Sequence, residues 1–372
     1  MKKIGFAVAW DKKKDETWSG TPYSILNQLK TRYEVVEYDL ALPKIIKFLF
    51  SKLSRIKKVI TRDDFNNLST KLMSRKFNKK IKKEKRKFPV ITFCELRHSK
   101  NIDTYLYVDL TIDFLACMAD SESNLLAYTP LPPEISQNNI QKKLIRMRRY
   151  YDNCSGMFTM SKWLCEYMKN SGNISPNKVH HVGGGSNIDV KNVDFSLKSG
   201  KDKFLFVGRD FERKNGPLVI EAFKRVRERY NHVELYIAGP VELSLYESLP
   251  EGVIFLGPLK YDELVFYYNL CDYFVMPSRF EAYGLVFAEA LIYGLPCIGK
   301  DCYAMPEFIS NGQNGYLIKE DDPEELKQCM IDIIEHKEIV QNVMENQDEY
   351  INEYSWNTVV ERIKKAIENE EI

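Results

Sequence analysis

The chain has 372 residues, with 54 Lys+Arg against 52 Asp+Glu, a formal net charge of +2 and 44% hydrophobic residues. At roughly 100–200 residues per domain this length points to two domains, each able to bury its own core, and the composition excludes a disordered chain. The near-zero sum gives no support to nucleic acid or membrane as a partner, although a sum does not show how charge is distributed.

In chain order, Met1-Lys2-Lys3-Ile4 opens like a signal peptide, but the apolar stretch ends at Trp10 and Asp11-Lys12-Lys13-Lys14 follows, which suits a first strand. No apolar run approaches the ~18 residues of a spanning helix. Further short apolar runs follow at Val35–Asp39, Val90–Cys94, Tyr105–Val108, Met157–Met160 and Val179–Val182. A second and more regular series runs through Phe204–Val207, Leu235–Ala238, Val253–Leu256, Tyr273–Met276, Pro296–Gly299 and Tyr316–Ile318. Short buried strands alternating with helical spacing predict parallel, doubly wound sheets of the α/β class, one in each half. The polar stretch Ser186–Lys203 reads as the linker, with the boundary near 190–200, and Pro130-Leu131-Pro132-Pro133 reads as a loop. After Pro323 the remainder reads as helix. This divides the chain into an N-terminal domain over 1–190, a second domain over 200–350, and a last helix over 356–372 expected to pack back toward the first domain.

Two features of the first half stand apart. Residues 43–87 hold 17 Lys/Arg against 3 acids, a net of +14, so the rest of the chain is acidic by 12. Within that insert Ile45, Ile46, Leu49, Leu53, Ile56 and Ile60 share a helical face opposite Lys44, Lys47, Arg55 and Lys58, and Arg75–Lys87 adds nine cations in thirteen residues. A basic amphipathic helix suits an anionic membrane surface, and equally a helical pair packed on its domain with a solvated basic face. The eight cysteines contain no CxxC pair and read as reduced thiols in a cytosolic protein.

Chemistry concentrates in the second half. Val207-Gly208-Arg209-Asp210-Phe211-Glu212-Arg213-Lys214-Asn215-Gly216-Pro217 places Arg209 and Lys214 in the loop at the carboxyl end of a strand, because Pro217 suits the first turn of a helix. A bidentate guanidinium and a nearby ammonium are what a diphosphate needs, and two solvated cations are the plain alternative. Pro277–Ala290 then puts Glu281 in the next such loop and Glu289 one to two turns into a helix opening near Gly284-Leu285, whose free amides suit a phosphate. Carboxylates beside an anion site should contact uncharged parts of the ligand, which favours a sugar nucleotide over a plain phosphate ester. Glu289 lies among Phe287, Ala288, Ala290 and Leu291, so its carboxylate needs a partner.

These segments, with Leu295-Pro296-Cys297-Ile298, Met305-Pro306-Glu307-Phe308 and Asn314–Ile318, resemble the nucleotide-sugar domain of retaining glycosyltransferases of family 4, with the GT-B fold. Ser161–Leu164 and Lys178–Gly185 more loosely resemble the segment that closes that family's acceptor domain. The resemblance implies two Rossmann-like domains facing a central cleft and transfer of a sugar, with retention, from a UDP- or GDP-sugar to a glycan or lipid-linked glycan. It implies that Arg209 and Lys214 neutralise the leaving diphosphate and that Glu281 holds donor-sugar hydroxyls. Gly284 and Leu285 offer amides to the distal phosphate, and Glu289 accepts from the ribose. Main chain near Leu259 would meet the base, and Gly20 would bring backbone close to the donor. Where many relatives have a histidine after an acceptor-domain strand, this chain has Asp109, which reads as a hydroxyl ligand or as a helix N-cap. No Asp-x-Asp metal motif is present, Asp120-Ser121-Glu122 being the nearest approach; no cofactor or metal is expected, since the two cations neutralise the leaving group. His98, His180 and His181 have no assigned role. A sugar-nucleotide epimerase or a phosphorylase of similar architecture, or a silent sugar-nucleotide sensor, are the alternatives; the Glu-x7-Glu spacing favours the transferase over the first, and the full set of Arg, Lys and two Glu over the last.

Overall fold

A computed structural model describes residues 1–43, 46, 62–84, 87–97, 101–120, 129, 137–198, 200–243 and 248–368. The sequence readings at 44–45, 47–61 and 85–86 of the basic insert, at His98, at the Pro130–Pro133 loop and at Ser121-Glu122 lie outside the described residues. The chain divides into two compact units, one built from its N-terminal portion through Asn187 together with Trp356–Ile372, the other essentially Ile188–Ser355.

The first unit carries a parallel sheet of β1 (Lys3–Val8), β2 (Glu34–Asp39), β3 (Val90–Thr92), β4 (Thr104–Val108), β5 (Gly156–Thr159) and β6 (Val179–His181), in the order β2-β1-β3-β4-β5-β6. Its helices are α1 (Thr21–Lys30), α2 (Arg62–Ile81), α3 (Ile112–Asp120), α4 (Gln137–Asn153) and α5 (Lys162–Asn170). The order reverses between β1 and β3. In open parallel sheets, ligands bind outside the carboxyl ends of the strands at such a reversal. The second unit repeats the plan with β7 (Lys203–Val207), β8 (Glu234–Ala238), β9 (Val253–Gly257), β10 (Tyr273–Val275), β11 (Cys297–Lys300) and β12 (Gly315–Ile318). Their order is β12-β11-β10-β7-β8-β9, again all parallel, and reverses between β7 and β10. The intervening helices are α6 (Gly216–Arg227), α7 (Tyr261–Leu270), α8 (Leu285–Ile292), α9 (Pro323–Glu335), α10 (Lys337–Glu345) and α11 (Gln347–Glu353).

The strands read as unbroken apolar runs because both sheet faces are covered. Phe204, Leu205 and Phe206 are all fully buried, as are Phe274 and Val275 on the neighbouring strand. The last helix, α12 (Trp356–Glu368), buries Trp356, Val359, Val360, Ile363 and Ala366 and packs against α1 of the first unit. Lys2–Glu368 and Arg32–Glu361 ion pairs lie along it.

The passage between units falls between Asn187 and Ile188, ahead of the 190–200 suggested by composition. The polar stretch after it is not free linker. Asn269 on α7 accepts from the Asp194 amide at 2.9 Å and donates to the Asn192 carbonyl at 2.8 Å. Lys198 donates to the carbonyls of Tyr268 and Cys271. Side-chain bonds to backbone thus hold residues 192–198 to the second unit with no hydrophobic periodicity to announce it.

Of the insert, α2 is described in part, and it has two faces. Phe77 is fully buried, edge-on to Tyr38 with ring centroids 5.4 Å apart. Ser74 accepts from the Arg97 amide at 2.8 Å and Asn78 donates to the Arg97 carbonyl at 2.8 Å, so one side is bound to the loop after β3. Lys71, Arg75, Lys79, Lys82 and Lys83 are exposed, and none of them forms an ion pair among the described residues.

Candidate functional site

The loops after β7 and β10 leave adjacent strands at the reversal point of the second sheet, and they are laced together. The Arg279 amide donates to the Arg213 carbonyl at 2.9 Å, and the Arg213 guanidinium donates to the Phe280 carbonyl at 2.8 Å. Asp210 turns the first loop by accepting from the Arg213 amide at 3.1 Å and, through its carbonyl, from the Lys214 amide at 3.0 Å. These bonds place Lys214 against Glu281.

Lys214 and Glu281 are 7% and 8% exposed and form a buried ion pair. Gly208 makes room for it: a Cβ there would lie 2.7 Å from Lys214 Cγ, so only glycine lets the lysine stem fold back over the strand end. Arg213 approaches the same Glu281 oxygen at 3.6 Å, and Ser278, fully buried, donates to it at 3.4 Å. Burial pulls the Lys214 ammonium below its ordinary range, and Glu281 opposes that shift. Arg209, from the same loop, is exposed and has no side-chain partner among the described residues.

Two helices open at this edge. Asn215, at the head of α6, is left-handed with φ 61° and completely buried, and neither polar atom of its side chain has a partner. A buried amide left unpaired is costly and is rare unless something else supplies the bonds. Gly284 heads α8 with φ 99°, a conformation that disfavours any side chain, and a Cβ there would also press on Glu281 Cγ at 3.0 Å. It has no side-chain cap, and although the Phe287 amide bonds the Gly284 carbonyl at 2.9 Å, the Leu285 and Val286 amides have no helical acceptor.

Glu289 sits on α8 one turn further in. The Tyr268 hydroxyl donates to its Oε2 at 3.0 Å, and that ring stacks on Tyr293 with centroids 5.1 Å apart. The carboxyl is only partly accessible and its surroundings are apolar, so burial pushes it up to about 7 against the lowering effect of Tyr268. Leu259 is half-buried on the β9–α7 connection, after the left-handed Gly257. Gly20 and Asp109 belong to the first unit. Gly20 follows β1 at that sheet's reversal point, and Asp109 follows β4, two strands away. The N-cap role weighed for Asp109 falls to Thr111: α3 begins at Ile112, and Thr111 Oγ accepts from the Phe114 amide at 3.4 Å. His180 is half-buried, with burial lowering its imidazole pKa, and it packs against Phe158.

Arg213, Asn215, Ser278 and Tyr268 were not singled out by sequence reasoning. Arg213 and Asn215 flank Lys214 and Ser278 lies in the second loop, so their position in the motifs was the available signal; Tyr268 comes from a helix distant in sequence and gave none. Among the described residues no group of three or more His, Cys, Asp or Glu is arranged to hold a metal ion. A cavity of about 460 Å³ lies at the opposite, amino-terminal edge of the same sheet, lined by Phe195, Tyr273, Lys337, Val340 and Met344. Its lining is largely apolar and Lys337 is already paired with Asp202, so it has none of the open polar groups of the carboxyl edge.

The fold is the two-domain α/β GT-B arrangement, and the carboxyl edge of its second sheet gathers cations, open amides and two carboxylates. Comparison with known proteins agrees. Residues 188–351 match the family Glycosyl transferases group 1. An uncharacterized glycosyltransferase of Methanocaldococcus jannaschii is 26% identical over 167 residues, covering 44% of this chain and 47% of that protein. The serotype-specific mannosyltransferase WbdA of Escherichia coli is 25% identical over 201 residues, 48% of this chain and 24% of its own. The chain spans about half the length of the curated relatives it matches. Among solved structures, HepE of Anabaena in complex with UDP and glucose superposes with a TM-score of 0.65 at 13% identity, over 99% of this chain and 100% of that one.

The Glu289 carboxyl generates a stability prediction. Its folded value of about 7 lies above the ordinary 4.5, so between those limits the folded chain retains a proton that the unfolded chain has lost. The cost of burying the ionised form is absent below about pH 4.5 and complete above about pH 7. Glu289→Gln is therefore expected to raise the thermal midpoint at about pH 8.5 and to leave it unchanged at about pH 4.5. An equal shift at both pH values, or none at either, would count against the assignment.

Proposed function

We propose that this chain is a retaining glycosyltransferase of family 4 that moves a sugar from a UDP- or GDP-sugar to a hydroxyl of a glycan or lipid-linked glycan, in surface polysaccharide or glycoconjugate synthesis. The observation that carries this reading is the buried Lys214–Glu281 pair beside Arg213, with exposed Arg209 in the same loop, at the reversal point of the second sheet. It is supported by the family match over the same residues and by the names of the mannosyltransferase relative and of the UDP- and glucose-bound structural neighbour.

In this reading a diphosphate competes with Glu281 for Lys214. As the ammonium turns to the phosphates, Glu281 is released to accept from donor-sugar hydroxyls. Arg209 closes on the diphosphate from the exposed side, and the open amides at Gly284-Leu285 bind the distal phosphate. Asn215 supplies its unpaired amide to the same oxygens, Glu289 accepts from the ribose, and the backbone near Leu259 meets the base. Gly20 brings backbone close to the donor, and Asp109 holds a donor or acceptor hydroxyl. The charge that develops on the leaving diphosphate thus meets fixed cations and dipoles, which is where such sites gain most of their rate. Glu281 is a hydroxyl ligand and not a nucleophile; attack and departure share one face of the sugar.

Incubating the chain with a panel of UDP- and GDP-sugars and following nucleoside diphosphate release tests this. One or more donors should turn over, slowly to water and faster with a glycan acceptor. Lys214→Ala should lower kcat by about 10²–10³, as removal of a preorganised charge partner does. No release from any donor, or full turnover in Lys214→Ala, would refute the reading.

The paired cations also make the reaction as proposed independent of divalent metal. Turnover should persist in excess EDTA; loss that magnesium or manganese restores would show that a metal shares the neutralisation.

The unneutralised ridge of Lys71, Arg75, Lys79, Lys82 and Lys83 supports peripheral attachment to an anionic membrane surface, where a lipid-linked acceptor would reside. The chain should sediment with vesicles containing phosphatidylglycerol at low salt and be released at high salt. Equal recovery in the supernatant with neutral and anionic vesicles would dispose of the attachment.

A further inference from the structure

The turn after β1 is strained. Trp18, Ser19 and Gly20 are left-handed in succession, with φ of 44°, 55° and 81°. Left-handed backbone is disfavoured at residues with a Cβ, and such turns persist only when their surroundings over-determine them. One support is the Trp18 ring, edge-on to Phe93 and to Tyr107 at 5.9 Å each. The other is a single side chain from far along the sequence, Asn187.

Asn187 makes three hydrogen bonds of 2.7 Å. Its Nδ2 donates to the Ser19 carbonyl, and its Oδ1 accepts from Ser24 Oγ on α1 and from the Trp356 indole at the head of α12. Two donors and one acceptor fix which end of the amide is oxygen. Asn187 is also the last residue of the first unit before the chain passes to the second, and Trp356 is the first residue on its return. The amide therefore joins both crossing points to the β1–α1 turn. That turn ends at Gly20, which heads α1 without a side-chain cap, at the reversal point of the first sheet.

We propose that Asn187 is a positioning residue: its bond to Ser19 holds the Trp18–Gly20 turn in its left-handed form, and its bond to Trp356 ties that form to the head of α12. Resting on the glycosyltransferase reading, the inference is that Asn187 sets donor affinity without touching the donor. Loss of the Asn187 amide removes the side-chain donor that the Ser19 carbonyl has among the described residues, and the turn relaxes away from the sheet edge.

Asn187→Asp tests the effect, because aspartate still accepts from Ser24 and Trp356 but turns an acceptor oxygen, not a donor, toward the Ser19 carbonyl. Its site is exposed, so the variant is expected to fold with a thermal midpoint close to wild type. Hydrogen exchange of the 15–24 segment, where the Thr21 amide bonds the Trp18 carbonyl, should accelerate about tenfold, the effect of one lost hydrogen bond on an opening equilibrium. Donor KM should rise by a similar factor, about tenfold, with kcat nearly unchanged. Ser24→Ala, which leaves the Ser19 bond in place, should move both readouts less. Wild-type exchange in Asn187→Asp, or faster exchange with unchanged KM, overturns the proposal. Absence of turnover from the wild-type chain would instead sink the glycosyltransferase reading, and the exchange result would then decide by itself whether Asn187 holds the turn.

Discussion

A buried ammonium needs a buried anion, and in the second unit that requirement governs how two loops are built. Lys214 and Glu281 come from connections 67 residues apart, and they meet because β7 and β10 are neighbours in the sheet. The lacing of Arg213 to Phe280 and of Arg279 to Arg213 holds the connections in one geometry, and Gly208 leaves space for the lysine stem. A buried ion pair is seldom more stabilising than a well-packed apolar pair, because both charges lose their water. Removing one partner of such a pair typically costs about 3–5 kcal/mol, since the other is left uncompensated. Here Arg213 stands 3.6 Å from the same carboxylate oxygen while also pairing with Asp210 at 3.4 Å, so Glu281 has a second, shared cation within reach. A carboxylate with two cations around it can lend one of them to an incoming anion without being stranded.

The first unit uses a related device with different chemistry. Both sheets begin a helix at their reversal point with a left-handed residue: Gly20 before α1, Asn215 before α6, and Gly284 before α8. None of the three makes a side-chain cap bond, and the backbone closes part of the gap: the Thr21 amide bonds the Trp18 carbonyl and the Gly216 amide the Phe211 carbonyl, while at α8 Leu285 begins the helix without a cap. In the second unit the strain is held by loops laced within one domain. In the first the left-handed turn is held by the Trp18 ring against Phe93 and Tyr107 and by the Asn187 amide on the Ser19 carbonyl.

Much of this was legible in the sequence. All twelve strands fell within a residue or two of the apolar runs, because strands covered on both faces leave no alternation to confuse the reading. Pro217 and Gly284 marked where α6 and α8 begin, and Glu289 was correctly read as a carboxylate in need of a partner. What was not legible was long-range. The partner proved to be Tyr268 on α7, with no local signal for it. Arg213 looked like one more cation in a lysine-rich chain, and its role depends on a carbonyl 67 residues away. The segment at 192–198 looked like linker because its attachment to α7 runs through backbone groups and Asn269, which composition does not report. Asp109 looked like a cap because acids commonly are, but the helix begins late enough for Thr111 to take the position.

The charge total of +2 is the most misleading number in the sequence, and α2 shows why. Lys71, Arg75 and Lys79 follow one another at four-residue spacing on an exposed face, where like charges repel by a few tenths of a kcal/mol per pair. The helix forms regardless because its other face is bound by Phe77 against Tyr38 and by Ser74 and Asn78 against the backbone of Arg97. The acidic excess that balances the insert lies elsewhere in the chain, and none of the five exposed cations is paired with it among the described residues. Interactions between exposed charges are screened within about 10 Å at ordinary ionic strength, so a balanced total does not neutralise a local ridge. An external anionic surface would relieve the repulsion along α2 while leaving its packed face undisturbed. With its inward face fixed by Phe77, Ser74 and Asn78, α2 keeps Lys71, Arg75 and Lys79 in solvent beside the exposed Leu68, and the repulsion among them is left to the solvent and its ions.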